Sequence, residues 1–88
     1  MKIKTGIDLQ KLKDFGFEYI PETKGYYKVY FPKLLKFIPM PHNKNVRGLA
    51  IYEDREIIIK KRYGFAWIPA YEDSFAIQDL INAGYVEA

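Results

Sequence analysis

The chain has 88 residues, of which 49% are apolar, 17% aromatic and 28% charged, with no cysteine and a net charge of +3. This length accommodates one core, hence a single domain over residues 1–88, and the apolar and aromatic content excludes the polar, aromatic-poor make-up of a disordered chain. Disulfides and thiolate metal sites are excluded as well, so stability has to come from packing, with self-association as a possible aid.

The charge is unevenly spread. From Met1 to Thr23 four lysines balance four acids, from Lys24 to Arg62 ten Lys and Arg face three acids, and from Tyr63 to Ala88 four acids meet no Lys or Arg. A basic middle suits phosphate binding or an acidic partner, and an acidic end can shield that middle. The bland alternative is that the long cations solvate one face of a sheet and guard its edges. The start MKIKTGIDLQKLKD offers no continuous apolar run for a signal peptide, and the densest apolar run, Ile57 to Ile59, is far too short to cross a membrane.

In chain order, Leu9, Leu12 and Phe15 recur every three residues in TGIDLQKLKDFGF, with Lys11, Lys13 and Asp14 on the other side, which predicts a short amphipathic helix. Thr5 with Asp8 resembles a capping pair, and Gly16 can end the helix. Phe17 to Ile20, the turn PETKG and Tyr26 to Phe31 read as strand, turn and strand. Alternation places Tyr26, Lys28 and Tyr30 on one face and Tyr27, Val29 and Phe31 on the other, the second set being the expected core.

Pro32, Pro39 and Pro41 make PKLLKFIPMPHNKN an expected irregular loop. RGLAIY, the turn EDR and EIIIKKRY read as a second hairpin, and GFAWI as an edge strand stopped by Pro69. The final helix is expected to start at Asp73 or Ser74, bury Ile77, Leu80 and Ile81, and stop at Gly84. The expected fold class is therefore α+β: a small, mainly antiparallel sheet of four or five strands with an N-terminal and a C-terminal helix packed on it.

Catalytic constellations are thin. With one His (His42), one Ser (Ser74) and no Cys, a Ser-His-acid triad is not expected, and Ser74 is better read as a helix cap. There is no zinc-ligand spacing and no Gly-rich lysine loop for a nucleotide phosphate. Glu22-Thr23-Lys24 matches a fragment of a nuclease motif but sits in a predicted turn, and Glu53, Asp54 and Glu56 cluster at another turn where acids ordinarily stay solvated. Neither a catalytic residue, a metal nor a cofactor is assigned.

The stretch Gly64-Phe65-Ala66-Trp67-Ile68 resembles the main ribonucleoprotein motif of RNA-recognition-motif domains, and Val29-Tyr30-Phe31-Pro32-Lys33-Leu34 looks like its companion. The resemblance implies single-stranded nucleic-acid binding in which Tyr30, Phe65 and Trp67 stack on bases while Lys60, Lys61 and Arg62 meet phosphates. Three departures count against it: Tyr63 stands where the motif asks for a basic residue, the interval between the motifs holds prolines instead of a helix, and little chain remains after the last helix. The competing expectation is that Phe65 and Trp67 are buried under a helix.

The whole chain, through DLQKLKDFGFE, DREIIIKKR and LINAGYVEA, resembles the small uncharacterised proteins encoded by phages and prophages of Gram-positive bacteria. That resemblance implies a small non-catalytic binder acting on a host or phage protein, in the host cytoplasm. The favoured reading is thus a protein-binding accessory or inhibitory module, with Tyr26, Lys28, Tyr30, Lys36 and Arg47 as its contact surface. The alternatives are a single-strand nucleic-acid binder and a structural subunit of a homo-oligomer or virion. No membrane partner is expected.

Overall fold

The computed structural model describes residues 1–30 and 46–87, and three of its hairpin connections each turn on one residue with positive φ: Lys24 (54°), Arg55 (67°) and Gly64 (61°). The chain runs β1 (Lys2–Ile3), a 3-10 helix (Leu9–Phe15), β2 (Glu18–Ile20), β3 (Gly25–Tyr30), β4 (Arg47–Ile51), β5 (Ile57–Tyr63) and β6 (Ala66–Pro69). It ends with a 3-10 turn (Ser74–Ile77) that continues into the short helix α1 (Gln78–Asn82), and with β7 (Val86–Glu87). Strands β2 to β6 form a five-stranded antiparallel sheet in which each strand pairs with its neighbours in the chain, while β1 and β7 pair with each other as a separate antiparallel ribbon.

The protein is mostly sheet, which corrects the expected α+β class with a helix at each end. No N-terminal α-helix packs on the sheet. The spacing Leu9, Leu12, Phe15 has a period of three, which is the period of a 3-10 helix rather than the 3.6 of an α-helix, and this segment buries Leu12 alone. Asp8 rather than Thr5 caps it, accepting the Gln10 N–H at 2.9 Å, and Gly16 ends it in the left-handed region with φ 88°. The C-terminal segment is helical only over residues 74–82, where Ala76, Ile77 and Leu80 are buried.

The inner face of the sheet carries Leu49 and Ile51 from β4 and Ile57 and Ile59 from β5, and these pack with Ile3, Leu12, Ile77 and Leu80 into one core. Strand β3 presents the face opposite to the one expected. Tyr26, only 6% exposed, lies in the core and Tyr30 packs against it, whereas Val29 is 51% exposed. Phe31 lies outside the described residues. Both faces of β3 are rich in apolar atoms, so its own pattern does not choose between them; pairing of Tyr26 with Ile51 and of Lys28 with Leu49 does. Lys28 is tolerated inside because its ammonium lies over the Phe17 ring, 5.6 Å from the centroid, and reaches Asp79 at 3.4 Å.

Arg47, at the start of β4, is only 7% exposed. Its Nε donates to Asp73 Oδ2 at 2.6 Å, Nη1 donates to the Val46 carbonyl at 3.1 Å, and the guanidinium lies 5.1 Å from the centre of the Phe75 ring. The pair ties the sheet to the residue that opens the helical segment, and Asp73 is thereby occupied by Arg47 instead of capping that segment with its side chain. Because Asp73 keeps contact with water, Arg47→Ala should cost about 2–3 kcal/mol, less than the loss of a fully buried pair. Urea unfolding of Arg47→Ala, Asp73→Asn and the double variant checks this: the double variant should be less destabilised than the sum of the two single ones.

Candidate functional site

Strand alternation sends a second set of residues to the outer face of the sheet, and here the side chains in the middle are small. From β4 come Gly48 and Ala50; Tyr27 and Val29 flank them on β3, and Ile58 and Lys60 on β5. These residues, with Glu18 at one side and Tyr52 and Trp67 at the rim, line an open groove of about 420 Å³. Among the described residues no helix packs on this face, since the helical residues Leu12, Ile77 and Leu80 all belong to the core on the other side.

The groove owes its shape to two close approaches. Trp67 lies across β4 because Gly48 has no side chain: a Cβ there would come within 3.2 Å of the indole. Trp67 is 42% exposed, with one ring face against Gly48 and the rest open. At the opposite end Tyr27 and Tyr52 meet edge to face, ring centres 5.7 Å apart. Tyr27 Oη is 2.8 Å from Tyr52 Oη and 2.8 Å from Thr23 Oγ1. The hydrogen bond to Tyr27, reinforced by burial, holds the Tyr52 hydroxyl above its ordinary pKa of 10.0. Burial chiefly does the same to Tyr26 in the core.

Of the residues expected on a protein-binding surface, Tyr26 and Arg47 are buried, Lys28 and Tyr30 point to the inner face, and Lys36 lies outside the described residues, as does His42. The Tyr30 ring is engaged edge-on with Phe75, centres 5.9 Å apart. The inner face of β3 is therefore packed, not offered.

The nucleic-acid set is divided in a different way. Phe65 and Trp67 are not buried under a helix, contrary to expectation. Phe65 sits at the tip of the β5–β6 hairpin beside Gly64, in a two-residue turn whose first position has the positive φ a type II′ turn gives to glycine, and it is fully exposed at 101%. Trp67 shares the outer face with Lys60 and Arg62, standing directly opposite Arg62 across the strand pair, while Lys61 is paired with the inward side. Tyr30 is on the other face of the sheet, so the three aromatic residues do not form one stacking platform. Among the described residues the ion pairs are Lys2–Glu56, Lys28–Asp79 and Arg47–Asp73, and none involves Lys60, Lys61 or Arg62.

Gly48, Ala50, Tyr52 and Ile58 were not singled out from sequence. Their signal is the alternation of RGLAI, in which large residues at 47, 49 and 51 enclose small ones at 48 and 50. Glu22 and Lys24 occupy the β2–β3 turn and Glu53 and Asp54 the β4–β5 turn, where Asp54 accepts the Glu56 N–H at 3.0 Å. Among the described residues no three His, Cys, Asp or Glu side chains gather where they can hold a metal ion, and no helix is long and apolar enough to cross a membrane. No protein-family model, curated protein or solved structure matches the chain.

The tyrosine shifts have a definite sign. A phenol whose pKa is raised by folding stays protonated when the unfolded chain has already ionised, so its contribution is complete below pH 10 and is lost as the pH rises through the folded value. Thermal melts across alkaline pH should show stability falling above about pH 10, with Tyr52→Phe making the fall shallower. A fall of equal slope in Tyr52→Phe would show that the Tyr27–Tyr52 contact is not its source.

Proposed function

We propose that this protein is a non-catalytic binding module that docks a protein partner on the outer face of its sheet. The observation that carries this reading is the apolar groove floored by Gly48 and Ala50, left uncovered among the described residues, with Val29 and Trp67 exposed beside it. Small residues on a sheet face let a partner's side chains approach the backbone, and an aromatic rim supplies rigid contact area at low entropic cost. Val29, Ile58 and the rings of Tyr27 and Trp67 form a contiguous apolar surface of the kind that marks interaction sites on small domains. This keeps the accessory or inhibitory role implied by the likeness to phage-encoded proteins and moves its contact surface to the opposite side of β3. A cytoplasmic setting is in keeping with the lack of cysteine.

A second reading rests on Trp67 standing beside Arg62 and Lys60, an aromatic and two cations on one surface, which suits single-stranded nucleic acid. It is the weaker one, because Tyr30 is on the far face and Glu18 places a negative charge along the same groove.

Ala50→Arg fills the groove with a charge, whereas Lys11→Glu alters an exposed position of the 3-10 helix on the other side of the sheet. In affinity capture from bacterial lysate quantified by mass spectrometry, a partner retained by the wild type should persist with Lys11→Glu and be lost with Ala50→Arg, both variants keeping the wild-type circular dichroism. Retention by Ala50→Arg would remove the groove as the docking site. Titrating single-stranded RNA and DNA at two salt concentrations should leave Trp67 fluorescence nearly unchanged; saturable quenching that weakens steeply with salt would instead establish the nucleic-acid reading.

A further inference from the structure

The outer face has a polarity across its strands. Glu18 lies at the β2 side of the groove, while Lys60 on β5 and Arg62 beyond it lie on the other, with Gly48 and Ala50 on the central strand between them. A surface of this kind is complementary to itself. We propose that the outer face packs against the same face of a second copy of this chain, about a two-fold axis running along β4. The inference rests on the docking reading above and names its partner.

The axis is chosen by the register. Val29 pairs with Gly48, and Gly48 with Lys60, so Val29 and Lys60 stand level on either side of β4. A two-fold along β4 exchanges the two sides and brings Lys60 of one copy over Val29 of the other. The lysine stem then covers the half-exposed valine, and its ammonium extends one strand further to Glu18, which is paired with Tyr27 next to Val29. That step is one strand spacing of about 4.8 Å and one two-residue repeat of about 6.8 Å, within the joint reach of a Lys and a Glu side chain. Two-fold symmetry makes the contact twice. An axis along the strands also leaves the strands of the two copies aligned, the arrangement in which sheets pack face to face about 10 Å apart. Ala50 sits on the axis, where two larger side chains from symmetric positions would collide, and beside it the Trp67 indole of each copy lies over its own Gly48.

Pairing along the sheet edge is a poorer route for a second copy. The Ala70 N–H bonds the Ile59 carbonyl at 2.8 Å, and alternation along the antiparallel pair then turns positions 67 and 69 of β6 away from β5. Position 69 is proline, so this edge offers the Trp67 N–H and no second donor. The opposite edge, β2, is three residues long. The size of the face sets the expected strength: strands about 4.8 Å apart and about five residues long make a footprint of roughly 24 by 17 Å, or about 400 Å² per copy in projection, below the size of a standard specific interface and in the range of weak, transient ones. The dimer should accordingly be weak and concentration dependent, with a Kd of roughly micromolar or above.

Sedimentation velocity across protein concentrations from about micromolar to millimolar tests the pairing. The wild type should shift from monomer to dimer. Glu18→Lys and Lys60→Glu, both at exposed positions, should each raise the dimer Kd about tenfold by setting like charges together, and the double reversal should return it to within about threefold of the wild type. Ala50→Arg should give monomer throughout. A monomer at every concentration, or a dimer that ignores both charge reversals and Ala50→Arg, overturns the inference. The docking reading is judged separately: it survives if Ala50→Arg still abolishes capture of a different protein, and falls together with the dimer if Ala50→Arg changes neither readout.

Discussion

The alternation along β4 is the constraint on which the other features depend. β4 is the central strand of the sheet, and it turns Arg47, Leu49 and Ile51 inward and Gly48 and Ala50 outward. Through pairing, this choice dictates which residues of β3 and β5 enter the core: Tyr26 is set beside Ile51, and Ile57 and Ile59 beside Ile51 and Leu49. Burying an aliphatic side chain of this size contributes about 1.5–3 kcal/mol, so the four aliphatic residues of β4 and β5 contribute an amount comparable to the whole stability of a small domain. A slip of β5 by one residue would expose Ile57 and Ile59 and bury Ile58 and Lys60 in their place. The groove is the other side of the same choice, since keeping the large residues inside leaves the small ones in the middle of the outer face.

The uneven charge follows from how the inner face closes. Two inward-facing cations of the basic middle are each met by an acid from the C-terminal segment, Arg47 by Asp73 and Lys28 by Asp79. The acidic end thus neutralises part of the basic middle at the seam between the sheet and the helical segment. A third cation fastens the amino-terminal stretch. Arg55, held at φ 67° in the β4–β5 turn, donates from Nη1 to the carbonyls of Ile7 at 2.6 Å and Lys4 at 3.0 Å, while its own carbonyl accepts the Ile3 N–H at 2.9 Å. A non-glycine residue in the left-handed region costs about 1–2 kcal/mol, and these bonds, unattainable for a side chain leaving the turn in another direction, offset it. Lys60, Lys61 and Arg62 enter no ion pair among the described residues, and they stand together at the β5–β6 end.

What was legible in the sequence was local. The strands before and after PETKG, the two arms of the second hairpin and the stop at Pro69 all follow from turn chemistry and β-branched runs, which act over a few residues. Which face of β3 is buried was not legible, because Tyr26 and Tyr30 match Tyr27 and Val29 in apolar content and the decision is made by the neighbouring strand. The N-terminal helix was misread by allowing a three-residue repeat to stand for an α-helical stripe, although the missing fourth-residue contacts already distinguish Leu9, Leu12 and Phe15 from one. The burial of the expected contact residues was illegible for the same reason as the face of β3. Arg47 and Tyr26 have the composition of interface anchors, and only long-range pairing reveals that they are interior; Gly48 and Ala50 have no chemistry of their own and acquire a role only as the floor between larger neighbours.

The way the sheet is guarded bears on what the face is for. Its edges carry the usual protections: Pro69 and the short β6 at one side, a three-residue β2 at the other, and the terminal strands paired with each other rather than left free. Strand addition and edge-to-edge association are thereby discouraged. The middle of the outer face has no comparable defence among the described residues, for Val29 and Trp67 stand exposed between Glu18 on one side and Lys60 and Arg62 on the other. A domain that protects its edges while leaving an apolar face open, with opposite charges on its two sides, would be selective in what that face accepts. Backbone pairing accepts almost any strand, whereas a shaped face with Glu18 on one side and Lys60 on the other would favour a partner whose charges run the opposite way, the condition that the proposed pairing of two copies about β4 meets.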